Sequence, residues 1–198
     1  MQNGVKLMKK RCDWCEDTFD DYVKYHDEEW GVPVHDDRTQ FEFLILEGAQ
    51  AGLSWSTILK KREGYRKAFS DFDVEKVARF DEQKIQKMLQ NPEIVRNELK
   101  IRSAVSNAQL FIDIQEEFGS FNEYIWSFVD GSPIQNSRER MEDVPATTQE
   151  SDKLAKDLKK RGFKFTGSTI MYAHMQAAGL VNDHIKSCFR YKTVKEMG

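Results

Sequence analysis

The sequence predicts an all-α protein, and three observations lead to this fold class. Apolar residues recur at steps of three and four over most of the chain, which is the period of an amphipathic helix. Residues that favour helix N-caps precede many of these runs, and glycine follows several of them. No stretch of the sequence keeps the two-residue alternation of a half-buried strand, and no internal repeat is present.

The first half of the chain contains four predicted helical segments. Residues 36–52 place their apolar side chains on one face, and a glycine is expected to end that helix. Ser54 is then predicted to cap one continuous helix over 54–69, whose basic residues crowd the outer side. Short capped segments are expected at 73–80 and 81–89.

The longest predicted helix spans 92–118, with Gly119 as its stop. A short buried helix is expected over 121–129. Residues 130–148 are polar, contain two prolines and show no apolar period, which predicts a connecting loop.

A pair of helices joined by a short turn is predicted near the C-terminus. Ser151 is expected to cap the first, Gly162 to end it, and the second to run over 168–179. The turn, FKFTG at 163–167, follows the basic run KKRG and would offer backbone N–H groups and a helix N-terminus to a phosphate. An ordinary helix corner with a solvated basic face is the alternative interpretation.

Composition indicates one folded unit over 1–198. A chain of 198 residues that is 39% hydrophobic can bury one substantial core. The net charge of -3 provides no overall attraction to a polyanion, so nucleic-acid binding would depend on local patches. The start of the chain lacks an apolar signal core and no run of 18 apolar residues occurs, so we expect a cytoplasmic protein without membrane contact, acting as a monomer.

Two cysteines and two histidines form a candidate metal site. Cys12 and His26 lie near the N-terminus, while His184 and Cys188 lie near the C-terminus at i and i+4, which would place them on one helical face. Two sulfurs and two imidazoles suffice for a closed tetrahedral zinc site, and such a site would tie the chain ends together.

Spacing alone leaves other ligand sets open. Cys15 competes with Cys12, and His35 competes with His26. The four residues could also pack or solvate independently. With three cysteines in all, a disulfide scaffold is not expected.

A cluster of aromatic residues around one acidic residue is the second candidate site. The aromatic residues are Trp14, Tyr22, Tyr25, Trp30 and Trp55. Glu47 lies on or beside the apolar face of the predicted 36–52 helix, where a carboxylate is costly to bury unless it is paired or used. A pocket of this composition suits a flat cationic ring. The alternative is an aromatic core with Glu47 turned to solvent.

Four stretches carry a family resemblance. They are RCDWC, YVKYHDEEWGVP, LEGAQAGLSWSTILKKREGYR and LKKRGFKFTGSTIMYAHMQAAGLVNDHIKSC. Together they resemble the bacterial type I 3-methyladenine DNA glycosylases, a divergent branch of the helix-hairpin-helix glycosylase superfamily. The resemblance covers 11–188 and leaves peripheral tails at 1–10 and 189–198. It implies two small helical lobes, with a damaged base flipped into the groove between them.

The resemblance also implies roles for individual residues. One structural zinc ion per chain would be held by Cys12, His26, His184 and Cys188. Glu47 would recognise the adenine edge as the residue assigned to catalysis, and Trp14, Tyr22, Tyr25 and Trp55 would form the base pocket. The DNA contacts would come from Gly52, Leu53, Lys164, Gly167, Ser168 and Thr169, with Gly52 and Leu53 in a wedge that fills the gap left by the flipped nucleotide.

The implied activity is hydrolysis of the N-glycosidic bond of 3-methyladenine in double-stranded alkylated DNA, which releases the free base and leaves an abasic site. Many helix-hairpin-helix glycosylases use an aspartate near the position of Asp183, but the type I branch is understood to work without it, so no catalytic role is assigned to Asp183. Two other classes compete with the enzyme. They are a non-catalytic, zinc-stabilised protein that binds damaged DNA and a helical protein-interaction module.

Overall fold

The computed structural model describes residues 9–16 and 18–198. The predicted tail over 1–10 therefore lies almost wholly outside the described residues. The protein is mostly helical, as predicted. The N-terminal helices are α1 (Asp20–Glu28), α2 (Asp37–Gln50), α3 (Trp55–Leu59), α4 (Arg62–Ala68), α5 (Val74–Ala78) and α6 (Glu82–Leu89). The remaining helices are α7 (Glu98–Phe118), α8 (Phe121–Trp126), α9 (Gln149–Arg161), α10 (Ser168–Ala177) and α11 (Arg190–Lys195).

Helix α2 lies at the centre of the fold. Asp36 caps it, with its side chain accepting from Thr39 N at 2.8 Å. The prediction of one buried face is wrong, because residues 40–49 are buried all round by α3, α7, α8 and α10. A central helix of this kind has no solvent side on which its polar residues could be placed, so a polar residue there that lacks a partner inside the protein is costly.

The predicted continuous helix over 54–69 is divided into α3 and α4. Ser54 caps α3 as expected, but the chain turns at Lys61, whose Nζ donates to Pro92 O at 2.6 Å. The turn brings Gly64 against the backbone of Glu93, where a Cβ atom would lie 2.3 Å from the Glu93 carbonyl oxygen. Contact with a segment about thirty residues away therefore breaks a run whose apolar period is continuous.

Helix α7 begins six residues later than predicted. Pro92 lies in a turn in which Asn91 Oδ1 accepts from Glu93 N at 2.9 Å, and Asn97 caps the helix by accepting from Lys100 N at 3.1 Å. Two side-chain acceptors thus satisfy backbone donors that a helix over 92–97 would have used. The predicted stop is confirmed, since Gly119 has a φ of +90°.

Helix α9 also has a different cap from the predicted one. Thr148 accepts from Ser151 N at 3.3 Å, and Ser151 Oγ accepts from Thr148 N at 2.8 Å. Ser151 is therefore the third residue of a reciprocal capping box and not the cap itself. Gly162 ends the helix with a φ of +103°, as predicted.

Two short strands join the 130–148 segment to the C-terminal region. Strand β1 (Ile134–Gln135) pairs in parallel with β2 (Val181–Asn182), a feature that the sequence did not predict. The chain reaches β2 through Gly179, which has a φ of +71° and lies so close to Val32 that a Cβ atom would be 2.3 Å from the Val32 carbonyl carbon. The strands therefore fix the C-terminal turn beside the N-terminal segment.

None of the helices in the described part of the chain combines the length and the apolar character that a membrane crossing requires.

Candidate functional site

The structure brings four metal-ligating side chains from the two ends of the chain to one buried point. They are Cys12, His26, His184 and Cys188, and their ligand atoms all lie within 4.8 Å of one another. Cys188 Sγ is 3.5 Å from both His26 Nε2 and His184 Nδ1, and Cys12 Sγ is 3.6 Å from His184 Nδ1. A zinc ion with bonds of about 2.3 Å to sulfur and 2.0 Å to nitrogen in a tetrahedron separates these atoms by about 3.5 Å. The spacing therefore fits such an ion.

The two imidazoles present their free nitrogens to this cluster. His26 Nδ1 lies 2.8 Å from Asp27 Oδ1, and His184 Nε2 lies 2.9 Å from Trp30 O. A carboxylate and a carbonyl only accept hydrogen bonds, so these nitrogens carry the protons and donate. His26 Nε2 and His184 Nδ1 are the ring nitrogens left to bind a metal, as in sites where the other nitrogen of a histidine ligand donates to an oxygen. Arg11 holds Asp27 in place by donating to both of its carboxylate oxygens, at 2.8 and 2.7 Å.

The other candidate ligands lie elsewhere. Cys15 is buried, and its thiol donates to Cys12 O at 3.2 Å. His35 is exposed and stacks on Trp126 with ring centroids 4.6 Å apart. The prediction that His184 and Cys188 share a helical face is wrong, because residues 183–189 form a turn in which Cys188 N donates to Ile185 O. That turn, fixed by β2, directs both side chains to one point.

A cavity of about 340 Å³ opens next to the metal-ligating cluster. Its wall includes the five predicted residues Trp14, Tyr22, Tyr25, Glu47 and Trp55. Six further residues line it, Trp30, Gln50, Met141, Val144, Ala173 and Gln176. Trp30 belonged to the aromatic cluster, whereas Met141 and Val144 come from the segment predicted to be a simple connecting loop.

Glu47 is the acidic group of this cavity. It lies in the last part of α2, only 4% of its surface is exposed, and its carboxylate has no hydrogen-bond partner among the described residues. Burial without a compensating cation raises the pKa of Glu47 to about 8. The other buried polar residues of α2 are paired, since Glu42 accepts from Arg62 at 2.7 Å and Gln40 contacts His174 at 2.8 Å. The cavity therefore contains a buried carboxylate that could form a hydrogen bond or an ion pair with a ligand.

The aromatic side chains form a continuous cluster around that carboxylate. Trp14 lies 5.2 Å from Tyr22 and 5.1 Å from Trp30 between ring centroids, and Tyr25 lies 5.2 Å from Trp55. The indole N–H of Trp55 is buried and has no acceptor among the described residues. Burial raises the pKa of Tyr25 well above its ordinary value, so its hydroxyl keeps its proton and can donate. Stacking surfaces, donors and one acidic group therefore converge on the cavity.

The aromatic cluster is also in contact with the metal-ligating cluster. Trp14 meets His26 edge to face at 5.2 Å, and Trp30 meets His184 in the same way at 4.6 Å. Since the Trp30 carbonyl also accepts from His184, the two sites share structural elements. The position of the pocket wall thus depends on the positions of His26 and His184.

Asp183 lies outside the cavity. It is buried, and its carboxylate accepts hydrogen bonds from Tyr172, from Gln176 at 2.8 Å and from Asn136 at 2.8 Å. Arg138 adds an ion pair at 3.4 Å. With its oxygens occupied in this way, Asp183 acts as an anchor between β2 and its surroundings.

The predicted wedge residues lie at the rim of a second cavity that continues from the first. This outer cavity, of about 350 Å³, shares Glu47, Gln50 and Ala173 with the inner one and is bordered by Gly52 and Leu53. Gly52 has a φ of +76°, and the Leu53 side chain is 41% exposed. An apolar side chain thus stands on an exposed turn directly above the path into the pocket.

The predicted hairpin lies between α9 and α10. Lys164, Gly167 and Thr169 are exposed, whereas the Ser168 hydroxyl donates to Asp152 and is engaged within the protein. No side chain of the described residues caps the N-terminus of α10, so the N–H groups of its first turn have no side-chain acceptor there. These groups lie on the same surface as the outer cavity, since Thr169 borders both the hairpin and that cavity.

Comparison with known proteins shows one consistent relationship. The sequence model of the methyladenine glycosylase family matches residues 14–191. The chain is 45% identical over 183 residues to DNA-3-methyladenine glycosylase 1 of Escherichia coli (strain K12), covering 92% of this chain and 97% of that protein. It is 44% identical over 181 residues to DNA-3-methyladenine glycosylase of Haemophilus influenzae, covering 91% and 97%.

Solved structures agree with the sequence relatives. A crystal structure of a 3-methyladenine DNA glycosylase I superposes with a TM-score of 0.88 at 49% identity, covering 91% of this chain and 98% of the other. A structure of the Staphylococcus aureus enzyme, solved to explain 3-methyladenine recognition, gives a TM-score of 0.85 at 40% identity and covers 87% and 92%.

Proposed function

The chain belongs to the methyladenine glycosylase family, and we propose that it receives the damaged base in the aromatic cavity around Glu47. It is a base-excision glycosylase that hydrolyses the N-glycosidic bond of 3-methyladenine in alkylated DNA. The observation that carries the site assignment is the buried carboxylate of Glu47, which lies among aromatic side chains and has no hydrogen-bond partner in the described part of the chain. Each of these features favours a flat cationic ring over a neutral one.

The charge of Glu47 follows the charge of the ligand. In the free protein burial raises the pKa of this carboxyl to about 8, so much of it is protonated at neutral pH. A base alkylated at N3 brings a positive charge into the cavity, and an opposite charge at short range favours the ionised form. The ion pair forms only with the alkylated base, because normal adenine is neutral. Selectivity therefore arises from a charge that the protein leaves unpaired until the substrate enters.

The chemistry demands little acid catalysis. Water adds to the sugar carbon as the glycosidic bond breaks, the electron pair of that bond passes to the purine, and the water proton is released to solvent. The purine then leaves as a neutral base, because the electron pair cancels its positive charge. The main tasks of the protein are to extract the base, to hold it and to exclude the normal base, with a flipping cost of a few kcal/mol.

We assign the extraction step to the exposed turn at the rim. Leu53 would occupy the space that the flipped nucleotide vacates, since its apolar side chain is exposed above the entrance to the cavity. Helix α9, the turn at 163–167 and α10 would act as a helix-hairpin-helix element. Backbone N–H groups at the start of α10 and the exposed Lys164 would bind phosphate without reading the base sequence.

We propose one structural zinc ion at Cys12, His26, His184 and Cys188. The support is the ligand spacing, the hydrogen bonds that the other ring nitrogens of the two histidines make to Asp27 and Trp30, and the burial of all four residues. Zinc bound there would connect the chain ends and add its binding free energy to folding, with all four positions filled by protein.

A single-turnover assay on duplex oligonucleotides with one 3-methyladenine tests the proposal. The wild-type protein should release the free base and leave an alkali-labile abasic site, and Glu47→Gln should reduce the excision rate tenfold to about a hundredfold. Tight binding without any release would instead identify a damaged-DNA-binding protein. Full activity of Glu47→Gln would remove Glu47 from base recognition.

A further inference from the structure

Helix α7 contacts both segments that the proposed function assigns to DNA, and we propose that it positions them relative to each other. Lys100, in its first turn, holds the Gly52–Leu53 turn, and Asn107, two turns later, holds the 163–167 hairpin. Neither residue lines the base pocket. Both would therefore be positioning residues that act on duplex engagement. The inference depends on the proposed function for the DNA role of the two segments.

Lys100 is bound to the end of helix α2. Its Nζ donates to Ala49 O at 2.8 Å and to Ala51 O at 2.6 Å. The last carbonyls of a helix lack partners within the helix and carry its partial negative charge, so an ammonium group is well matched to them. Gly52 follows Ala51 directly, and its orientation depends on where these carbonyls are held. Lys100 thus fixes the start of the turn that presents Leu53.

The hydrogen bonds of Lys100 indicate that it positions the turn and does not bind a DNA phosphate directly. An ammonium group has three donors, and Lys100 directs two of them to backbone carbonyls. Desolvation lowers the pKa of Lys100, in keeping with its partial burial. A lysine whose main task is to bind DNA backbone would instead extend into solvent.

Asn107 is bound to the hairpin by a reciprocal pair of hydrogen bonds. Its Nδ2 donates to Lys164 O at 2.9 Å, and its Oδ1 accepts from Lys164 N at 2.9 Å. One buried side chain therefore satisfies both backbone groups of Lys164. The next residue, Phe165, has a φ of +57° and packs against α2 where Gly48 leaves room, since a Cβ on Gly48 would lie 3.4 Å from Phe165 Cβ. The hairpin cannot shift without loss of these contacts.

The two anchors lie on one face of one helix. Lys100 and Asn107 are seven residues apart, which is two turns and about 10.5 Å along the axis. Because both anchors belong to the same helix, a displacement of the wedge turn relative to the hairpin would break hydrogen bonds at one of them.

The test compares excision from duplex DNA with binding of the free base. For Lys100→Met and Asn107→Leu we expect single-turnover excision from a 3-methyladenine duplex to fall about tenfold each. The dissociation constant for free 3-methyladenine, followed by tryptophan fluorescence, should remain within about twofold of wild type because the pocket is untouched. Excision from an alkylated single strand should fall less than excision from the duplex, since no partner base has to be replaced.

Three control variants identify the cause. Lys100→Arg keeps two donors and should restore most duplex activity. Arg96→Met removes a nearby exposed cation without side-chain contacts to described residues, and Glu116→Ala changes an exposed site on the same helix. Both should stay within about twofold of wild type. If Lys100→Met does not fold, Lys100→Gln replaces it. Duplex excision should then be fastest for the wild type, slower for Lys100→Arg and slowest for Lys100→Gln.

Two results would overturn the proposal. One is duplex excision within twofold of wild type in both Lys100→Met and Asn107→Leu. The other is a parallel loss of free-base binding, which would mean that the residues support the pocket itself. If the wild-type protein released no base at all, the proposed function would fail first, and duplex affinity of the same variants would still report on the positioning role.

Discussion

Replacement of Glu47 by glutamine should stabilise the free protein while it destroys base selection. Glu47 has a folded-state pKa of about 8 against an ordinary value of 4.5, because burial disfavours its charge. Between these two values the folded state binds more protons than the unfolded state, so stability falls as the pH rises through this window. Glutamine has the shape of the neutral acid and does not ionise, so the variant lacks this loss.

The magnitude follows from the two pKa values. At pH 7 the ionisation of the unfolded state favours unfolding by about 3 kcal/mol, and at pH 5 by less than about 1 kcal/mol. For a chain of this size a gain of about 3 kcal/mol corresponds to a rise in Tm of about 6 to 12 °C. The variant should therefore be most strongly stabilised at neutral pH and little changed near pH 5.

The assay is urea unfolding of wild type and Glu47→Gln at half-unit steps from pH 5 to 8. Glu42→Gln is the matched control, because Glu42 is equally buried on the same helix but is paired with Arg62 at 2.7 Å and Arg66 at 3.2 Å. Loss of that charge should destabilise the protein by about 3 kcal/mol, since Arg62, whose side chain is only 14% exposed, loses a partner. The same chemical change is thus expected to have opposite signs at the two positions.

Equal pH slopes for wild type and Glu47→Gln would refute the reasoning. They would mean that Glu47 ionises normally and therefore has access to water or to a cation. The aromatic cavity would then lack the unpaired acid on which selection of a cationic base depends.

Three further predictions concern stability. Cys188→Ser should lower both the zinc content, measured by mass spectrometry, and the Tm, and unchanged zinc content would contradict the proposed site. His174 is buried with its pKa lowered to about 4, so the folded state binds fewer protons than the unfolded state between pH 6.5 and 4 and stability is lost as the pH falls through that range. His174→Gln should remove about 2 to 3 kcal/mol of that loss at pH 4.5, and an unchanged acid unfolding curve would argue against it. Gly179→Ala should cost at least about 2 kcal/mol in urea unfolding, because its φ of +71° and its contact with Val32 leave no room for a Cβ atom, and a neutral result would show that the backbones can separate there.

Helix ends that are set by residues close in the sequence could be predicted from the sequence. The caps of α3, α5 and α6 follow from side chains within one turn of the backbone groups that they satisfy. The stops of α7 and α9 follow from glycines that adopt a positive φ. The sequence failed where a distant contact replaced a local one. The division between α3 and α4 is an example, because the backbone of Glu93 packs against Gly64.

Residue type also indicated the chemistry of the two sites. Cysteine and histidine pairs at the chain ends suggested a metal site, and the structure places Cys12, His26, His184 and Cys188 together. Aromatic density around Glu47 suggested a pocket, and the structure places these side chains around one cavity. The roles of Met141 and Val144 had no sequence signal, because a polar loop shows no period from which its inward residues could be identified.

The sequence by itself determined which chemical groups this protein has. It also determined the helix ends that depend only on residues close in the sequence. The tertiary structure alone decided that Glu47 is buried with no partner among the residues described, that a turn directs His184 and Cys188 to one point, and that Lys100 and Asn107 hold two distant segments. The physical reason is one of range. Caps and periodicity act within one or two helical turns, whereas desolvation of a carboxylate or satisfaction of a remote carbonyl depends on groups that folding brings from 50 or more residues away.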